Sequence, residues 1–118
     1  MATASELLIE LGVNVSSKGG RQLTRCVELA ADDPTLTDSI VKVLYPMVAD
    51  ASGTSAKATE RIIIRELRLV TGYPSWGDRL ASFESRHGCK GLFSGYEHQT
   101  LKPFIQKVAY ILNKERPR

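Results

Sequence analysis

The stretch Thr54–Val70, TSAKATERIIIRELRLV, carries two helical periodicities at once. Lys57, Arg61, Arg65 and Arg68 recur at i, i+4, i+8 and i+11, which places them on one face of a helix. Ala56, Thr59, Ile63, Leu67 and Val70 make a second, less polar face. Ser55 or Thr54 serves as the N-cap, and Gly72 stops the helix. The preceding run, Asp38–Ala49, is also amphipathic. Between the two, Asp50-Ala51-Ser52-Gly53-Thr54 is long enough only for a sharp turn. Ala49 suits a close helix contact, and Gly53 suits a corner that needs positive φ. The pattern predicts a helix-turn-helix over about 38–71, whose second helix presents its outward face to a DNA major groove.

Working outward, the remaining chain reads as all-α, about six helices, with residues 1–118 expected to form one domain. A first helix spans about Thr3–Leu11 and stops at Gly12. Val13–Lys18 is extended or loop, and Gly19-Gly20 reads as a break. A second helix, about Gly20–Ala31, turns Leu23, Cys26, Val27 and Ala30 inward, and Asp32-Asp33-Pro34 ends it. Thr37 reads as the N-cap of the third helix, whose core face is Ile40, Val41, Leu44 and Val48. Pro46 falls inside that pattern and predicts a kink near Val43. A fifth helix, about Trp76–His87, buries Trp76, Leu80 and Phe83. Gly88–His98 reads as loop. The last helix, about Leu101–Lys114, buries Phe104, Ile105, Val108, Ile111 and Leu112 behind an early Pro103, and Glu115–Arg118 is expected to fray.

Net charge is +3 over 118 residues, but it is unevenly placed. Residues 1–56 carry 4 basic and 7 acidic side chains, and residues 57–118 carry 12 and 6. The basic half begins at the candidate recognition helix. That fits a polyanion partner, with a solvated surface as the alternative, in which Glu60 and Glu66 pair with nearby arginines. Cys26 and Cys89 are the only cysteines, and with His87 and His98 they lack zinc-site spacing, so no metal is expected. No apolar run reaches membrane-span length, and Met1–Ser5 lacks the features of a signal peptide, so a cytoplasmic protein without membrane contact is expected. No catalytic set stands at useful spacing. Glycines 88, 91 and 95 lack the strand and Lys-Ser/Thr pair of a phosphate loop, and His87, Cys89 and His98 read as a surface loop. Neither an enzyme nor a cofactor is expected.

Several runs resemble a known family. Glu10-Leu11-Gly12-Val13 is similar to its short helix ending in Ile-Gly-Val, and Lys18-Gly19 follows the same pattern. Asp38-Ser39-Ile40-Val41-Lys42-Val43-Leu44-Tyr45-Pro46 is close to its Ser-Ile-Thr-Lys-x-Leu-Tyr-Pro run, and Glu60-Arg61 stands where its recognition helix has Glu-Arg. The chain thus resembles the C-terminal DNA-binding effector domain of the sporulation master response regulator (stage zero sporulation protein A) of spore-forming bacteria. The likeness covers residues 6–71 well and 99–114 loosely; residues 72–98 do not align.

The resemblance implies a six-helix fold with its helix-turn-helix in helices three and four. It implies that Ser55, Lys57, Glu60, Arg61 and Ile64 face bases, and that Lys18, Ser39, Lys42, Arg65 and Arg68 face phosphates. It implies double-stranded DNA as partner and a homodimer or tandem pair on repeated sites; the transcription machinery is a further candidate partner. Phe104, Val108 and Ile111 of the last helix are a candidate pairing surface, with core packing as the alternative. Two positions depart from the family: Ala58 and Ile64 stand where it usually has Arg. Ile64 either touches a thymine methyl or sits in a protein interface. Nothing in the sequence corresponds to the family's receiver domain: a chain complete from Met1 is expected to be a stand-alone regulator without a phosphorylation switch, whereas in a piece of a longer protein the switch lies outside this sequence. The competing reading is a protein-interaction module that keeps the fold and has lost specific DNA reading.

Overall fold

Thr3 opens the first helix, α1 (Ala4–Glu10), through a reciprocal cap. Its hydroxyl accepts from the Glu6 N–H at 3.2 Å, and its own N–H donates to the Glu6 carboxylate at 3.1 Å. The computed structural model describes residues 3–93 and 101–116. Over these residues the chain continues as α2 (Lys18–Asp32), a 3₁₀ turn (Pro34–Ser39), a π-helical turn (Ile40–Leu44), α3 (Tyr45–Ser52), α4 (Ala56–Thr71), α5 (Trp76–Arg86) and α6 (Leu101–Glu115). The described residues contain no strand, and the fold is all-α as expected.

Gly19-Gly20 is not a break. Ser17 caps α2 by accepting from the Gly20 N–H at 2.9 Å, and both glycines lie buried in the helix's first turn. A Cβ on Gly20 would stand 1.9 Å from the Asn14 carbonyl oxygen. A Cβ on Gly19 would stand 3.1 Å from the Ile62 carbonyl oxygen of α4. The pair therefore lets α2 approach both the preceding loop and α4 more closely than any side chain would permit. Leu23, Cys26, Val27 and Ala30 all face the core, as the periodicity predicts.

The region around Pro46 departs from the expected single helix. Thr37 is not an N-cap: it is buried, its hydroxyl donates to the Pro34 carbonyl at 2.8 Å, and it accepts from the Gln106 amide of α6 at 3.1 Å. Pro46 has no N–H to donate and crowds the carbonyl one turn earlier. The chain absorbs this just upstream, where the Tyr45 N–H reaches back five residues to the Ile40 carbonyl. The kink expected near Val43 is this wide turn. It also changes which side chains face inward. Leu44 and Val48 are fully buried and Ile40 packs at the core edge, but Val41 is 59% exposed and does not belong to the core face.

In the second half, Trp76, Leu80 and Phe83 of α5 are buried as expected, as are Phe104, Ile105, Val108, Ile111 and Leu112 of α6. Phe104, Val108 and Ile111 are thus core, so the pairing surface considered for α6 does not exist in that form. Phe93 is also fully buried, and its N–H donates to the buried Glu84 carboxylate at 2.6 Å. The rest of the expected loop, 94–98 with Gly95 and His98, lies outside the described residues, as do residues 99 and 100.

His87 is not a loop residue. It ends α5 with its side chain only 8% exposed, and its ring stacks at a tilt on Phe83. Its Nε2 meets Glu10 of α1 at 2.5 Å, and its Nδ1 meets Glu115 of α6. Burial works against the charged ring, but the two carboxylates outweigh it and hold the imidazole above its ordinary pKa. Glu115 is the last residue of α6, and Arg116 beyond it pairs with Asp32 at 2.8 Å. Pro117 and Arg118 lie outside the described residues.

Candidate nucleic-acid interface

The turn before α4 is built from local chemistry. Gly53 adopts φ +69, the left-handed conformation that a side chain disfavours. The Thr54 N–H then reaches back to the Ala49 carbonyl at 3.0 Å, and the Gly53 N–H to the Asp50 carbonyl at 3.3 Å. This double closure is a Schellman motif, and it satisfies the last carbonyls of α3. Ala49, 2% exposed, is the small residue at the corner. Ser55 restarts the helix at once, its hydroxyl accepting from the Ala58 N–H at 3.1 Å. A helix–turn–helix connection results, with α3 and α4 packed together.

The inner face of α4 anchors it. Thr59 and Ile63 are fully buried, and Leu67 and Val70 nearly so. Complete burial of an Ile or Leu side chain contributes about 1.5–3 kcal/mol each. Tyr45, at the start of α3, is buried as well. Burial, with the nearby Cys26 and Glu60, raises its phenol pKa. Residues from the Leu44-Tyr45-Pro46 run thus pack the seam between α2 and α4. Cys26 is inert there, its thiol pushed up to about 12 by burial.

The outer face of α4 forms a shallow cleft of about 470 Å³ lined by Lys57, Glu60, Arg61, Ile64, Arg65 and Arg68. Lys57, Arg61, Arg65 and Arg68 are exposed, and Glu60 is half-buried. The ion pairs among the described residues engage none of these four cations. The pairing of Glu60 and Glu66 with neighbouring arginines, weighed as the bland alternative, is not what forms. Four cations and one carboxylate leave this face with an uncompensated positive charge, the electrostatic requirement for a polyanion.

Ile64 is not the solvent-exposed residue that its position between arginines suggested. It is half-buried, packs against the core and still lines the cleft. Ser55 is exposed at the entrance to α4, with its hydroxyl used by the cap. Lys18 is the first residue of α2 and exposed, and the adjacent Gly19 lies against α4 at Ile62 and Glu66. Ser39 closes the 3₁₀ turn and Lys42 lies in the π-helical turn, both exposed. The structure brings six of the ten candidate residues into one cleft and leaves Ser55, Lys18, Ser39 and Lys42 exposed outside it. Sequence reading missed the glycine seat beside α4. The capping Ser17, separated from the two glycines only by Lys18, was the available signal, since a cap followed by a helix marks those glycines as helical rather than as a break.

Chemically, this face can bind anions and donate hydrogen bonds; it holds no nucleophile–base pair. Among the described residues no group of three His, Cys, Asp or Glu side chains could hold a metal ion. No described helix is long and apolar enough to cross a membrane. Comparison with known families agrees with this geometry. The family model described as sporulation initiation factor Spo0A C terminal matches residues 4–78, from the start of α1 into α5. Its domain is a DNA-binding effector rather than an enzyme. With well over half of its length matched, the chain belongs to the Spo0A C-terminal family of DNA-binding effector domains.

Proposed function

We propose that this protein is a sequence-specific transcriptional regulator that binds duplex DNA by placing α4 in the major groove. The uncompensated cationic outer face of α4, set on a helix-turn-helix, is the observation that carries this reading. In it Ser55, Lys57, Glu60, Arg61 and Ile64 face base edges. Arg61 is the main base reader, because a guanidinium matches the two acceptors of guanine. Lys18, Ser39, Lys42, Arg65 and Arg68 meet phosphates and set the register of the helix. The site of action is then the bacterial cytoplasm. Two copies bind side by side on repeated sites, as the family's tandem binding suggests, using a surface other than the buried face of α6.

The test is a mobility-shift series with wild type, Arg61→Ala and Arg65→Ala on genomic DNA fragments. Both changes are expected to weaken binding. Unchanged binding in both variants would sink the assignment and favour a protein-interaction module on the same fold. Selection of binding sites at near-physiological salt then separates sequence-specific reading from general affinity for duplex DNA.

A further inference from the structure

Five of the six side chains lining the cleft on α4 are charged; Ile64 is the exception. At about 100° per residue, Ile64 falls between Glu60 and the stripe formed by Lys57, Arg68, Arg61 and Arg65, on the flank of the face that adjoins the buried side. It lies where the cleft meets the buried side of α4 rather than on the charged stripe. The side chain is half-buried and packs against the core. A β-branched residue held in this way has little rotamer freedom left, so its outward methyl is fixed relative to the helix. Phosphates and sugar edges offer nothing to such a group. The major-groove floor offers one apolar feature, the C5 methyl of thymine.

A protein partner fits the same surface poorly. Covering Ile64 would also cover Lys57, Arg61, Arg65 and Arg68 around it, and burying those charges without partners is costly. We infer that Ile64 is a specificity-determining residue that reads a thymine methyl within the recognition site. This inference rests on the DNA-binding reading above. It also gives the family departure at this position a physical content. Where an arginine would select guanine through hydrogen bonds, Ile64 selects a methylated pyrimidine through van der Waals contact.

The experiment removes the methyl from the DNA rather than from the protein. A site is first selected from a random-sequence duplex pool. Each thymine in it is then replaced singly by deoxyuridine, and affinity is measured by fluorescence anisotropy. Wild type is expected to bind about three- to five-fold more weakly when one particular thymine is replaced. In Ile64→Ala, checked for folding by circular dichroism, that preference for thymine over uracil falls to about one. Ile64→Val, which keeps the branched shape, retains part of it. A selected site that tolerates uracil at every position overturns the inference while leaving DNA reading intact. So does a preference that persists unchanged in both variants. Failure to select any site overturns the DNA-reading proposal, and this inference with it.

Discussion

The replacement of Arg65 by Gln, alone and together with Arg68→Gln, tests the phosphate-facing assignment through the salt dependence of binding. Both arginines are exposed, and no ion pair among the described residues uses either. Their removal therefore strands no carboxylate and should alter folding stability by less than about 0.5 kcal/mol. If Lys18, Lys42, Arg65 and Arg68 each neutralise a phosphate, log Kobs falls with log salt at a slope of about −3.6 per protomer. Raising salt from about 50 to 200 mM then weakens wild-type binding about 150-fold. Arg65→Gln should reduce the slope to about −2.7 and that loss to about 40-fold. The double variant should reach about −1.8 and about 12-fold. Anisotropy titrations of a labelled duplex at several salt concentrations read the slopes directly, with thermal melting as the control for folding. An unchanged slope in a folded double variant would refute the phosphate assignment. Weaker binding at an unchanged slope would move these arginines to base edges.

Three further outcomes follow from the fold. Gly20→Ala should lower stability by about 1–3 kcal/mol or more, because the new Cβ meets backbone rather than a movable side chain; an unaltered urea midpoint would mean that α2 is not seated on the loop as described. His87→Gln should destabilise most at mildly acidic pH: the raised imidazole pKa contributes stability in full below its ordinary 6.5 and loses it as pH rises through the folded value, while Glu10, held below its ordinary 4.5, loses its own share only at lower pH. Urea midpoints of both proteins from about pH 5 to 9 should therefore converge as pH rises, and a constant gap would count against a charged imidazole. The buried Thr59 hydroxyl has no partner among the described residues, so Thr59→Val should be neutral or stabilise by up to about 1 kcal/mol in thermal melting; a loss of more than that would reveal a hidden partner.

What the sequence disclosed and what it concealed divides along the range of the interactions involved. The recognition helix was readable because its signals are local. Ser55, the two periodic faces and the positive φ at Gly53 all act within a few residues, and each appears where expected. Pro46 announced its irregularity for the same reason. Val41 was misplaced because the π-helical turn breaks the 3.6-residue phase on which the inward assignment depended. The roles of Gly19, Thr37 and His87 were hidden because their partners are distant in the chain. Gly19 meets Ile62, Thr37 meets Gln106, and His87 joins Glu10 to Glu115. A cap can mark a glycine pair as helical, but nothing local names the distant helix it packs against. A lone histidine between helices has no pattern that separates an exposed ring from a clamped one.

The glycine seat also bears on how α4 could read DNA. Base recognition needs a helix whose position is fixed to within a fraction of an ångström, because bidentate hydrogen bonds tolerate little displacement. The inner face of α4 supplies part of that constraint through Ile63 and Leu67. Side-chain packing alone, however, leaves a helix some freedom to slide along its axis. The close approach of α2 at Gly19 removes it, since backbone there lies against the Ile62 carbonyl and the Glu66 side chain, midway along α4. Lys18 is one residue from that contact. Of the phosphate-facing candidates outside α4, it is therefore the one whose backbone is tied most directly to the base-facing helix. A phosphate held by Lys18 would set the depth and register of Arg61 and Ile64 through a short, rigid path. On the proposed reading, Gly19, which made the chain look broken before α2, is the residue that would join the phosphate contact of Lys18 to the base-reading helix.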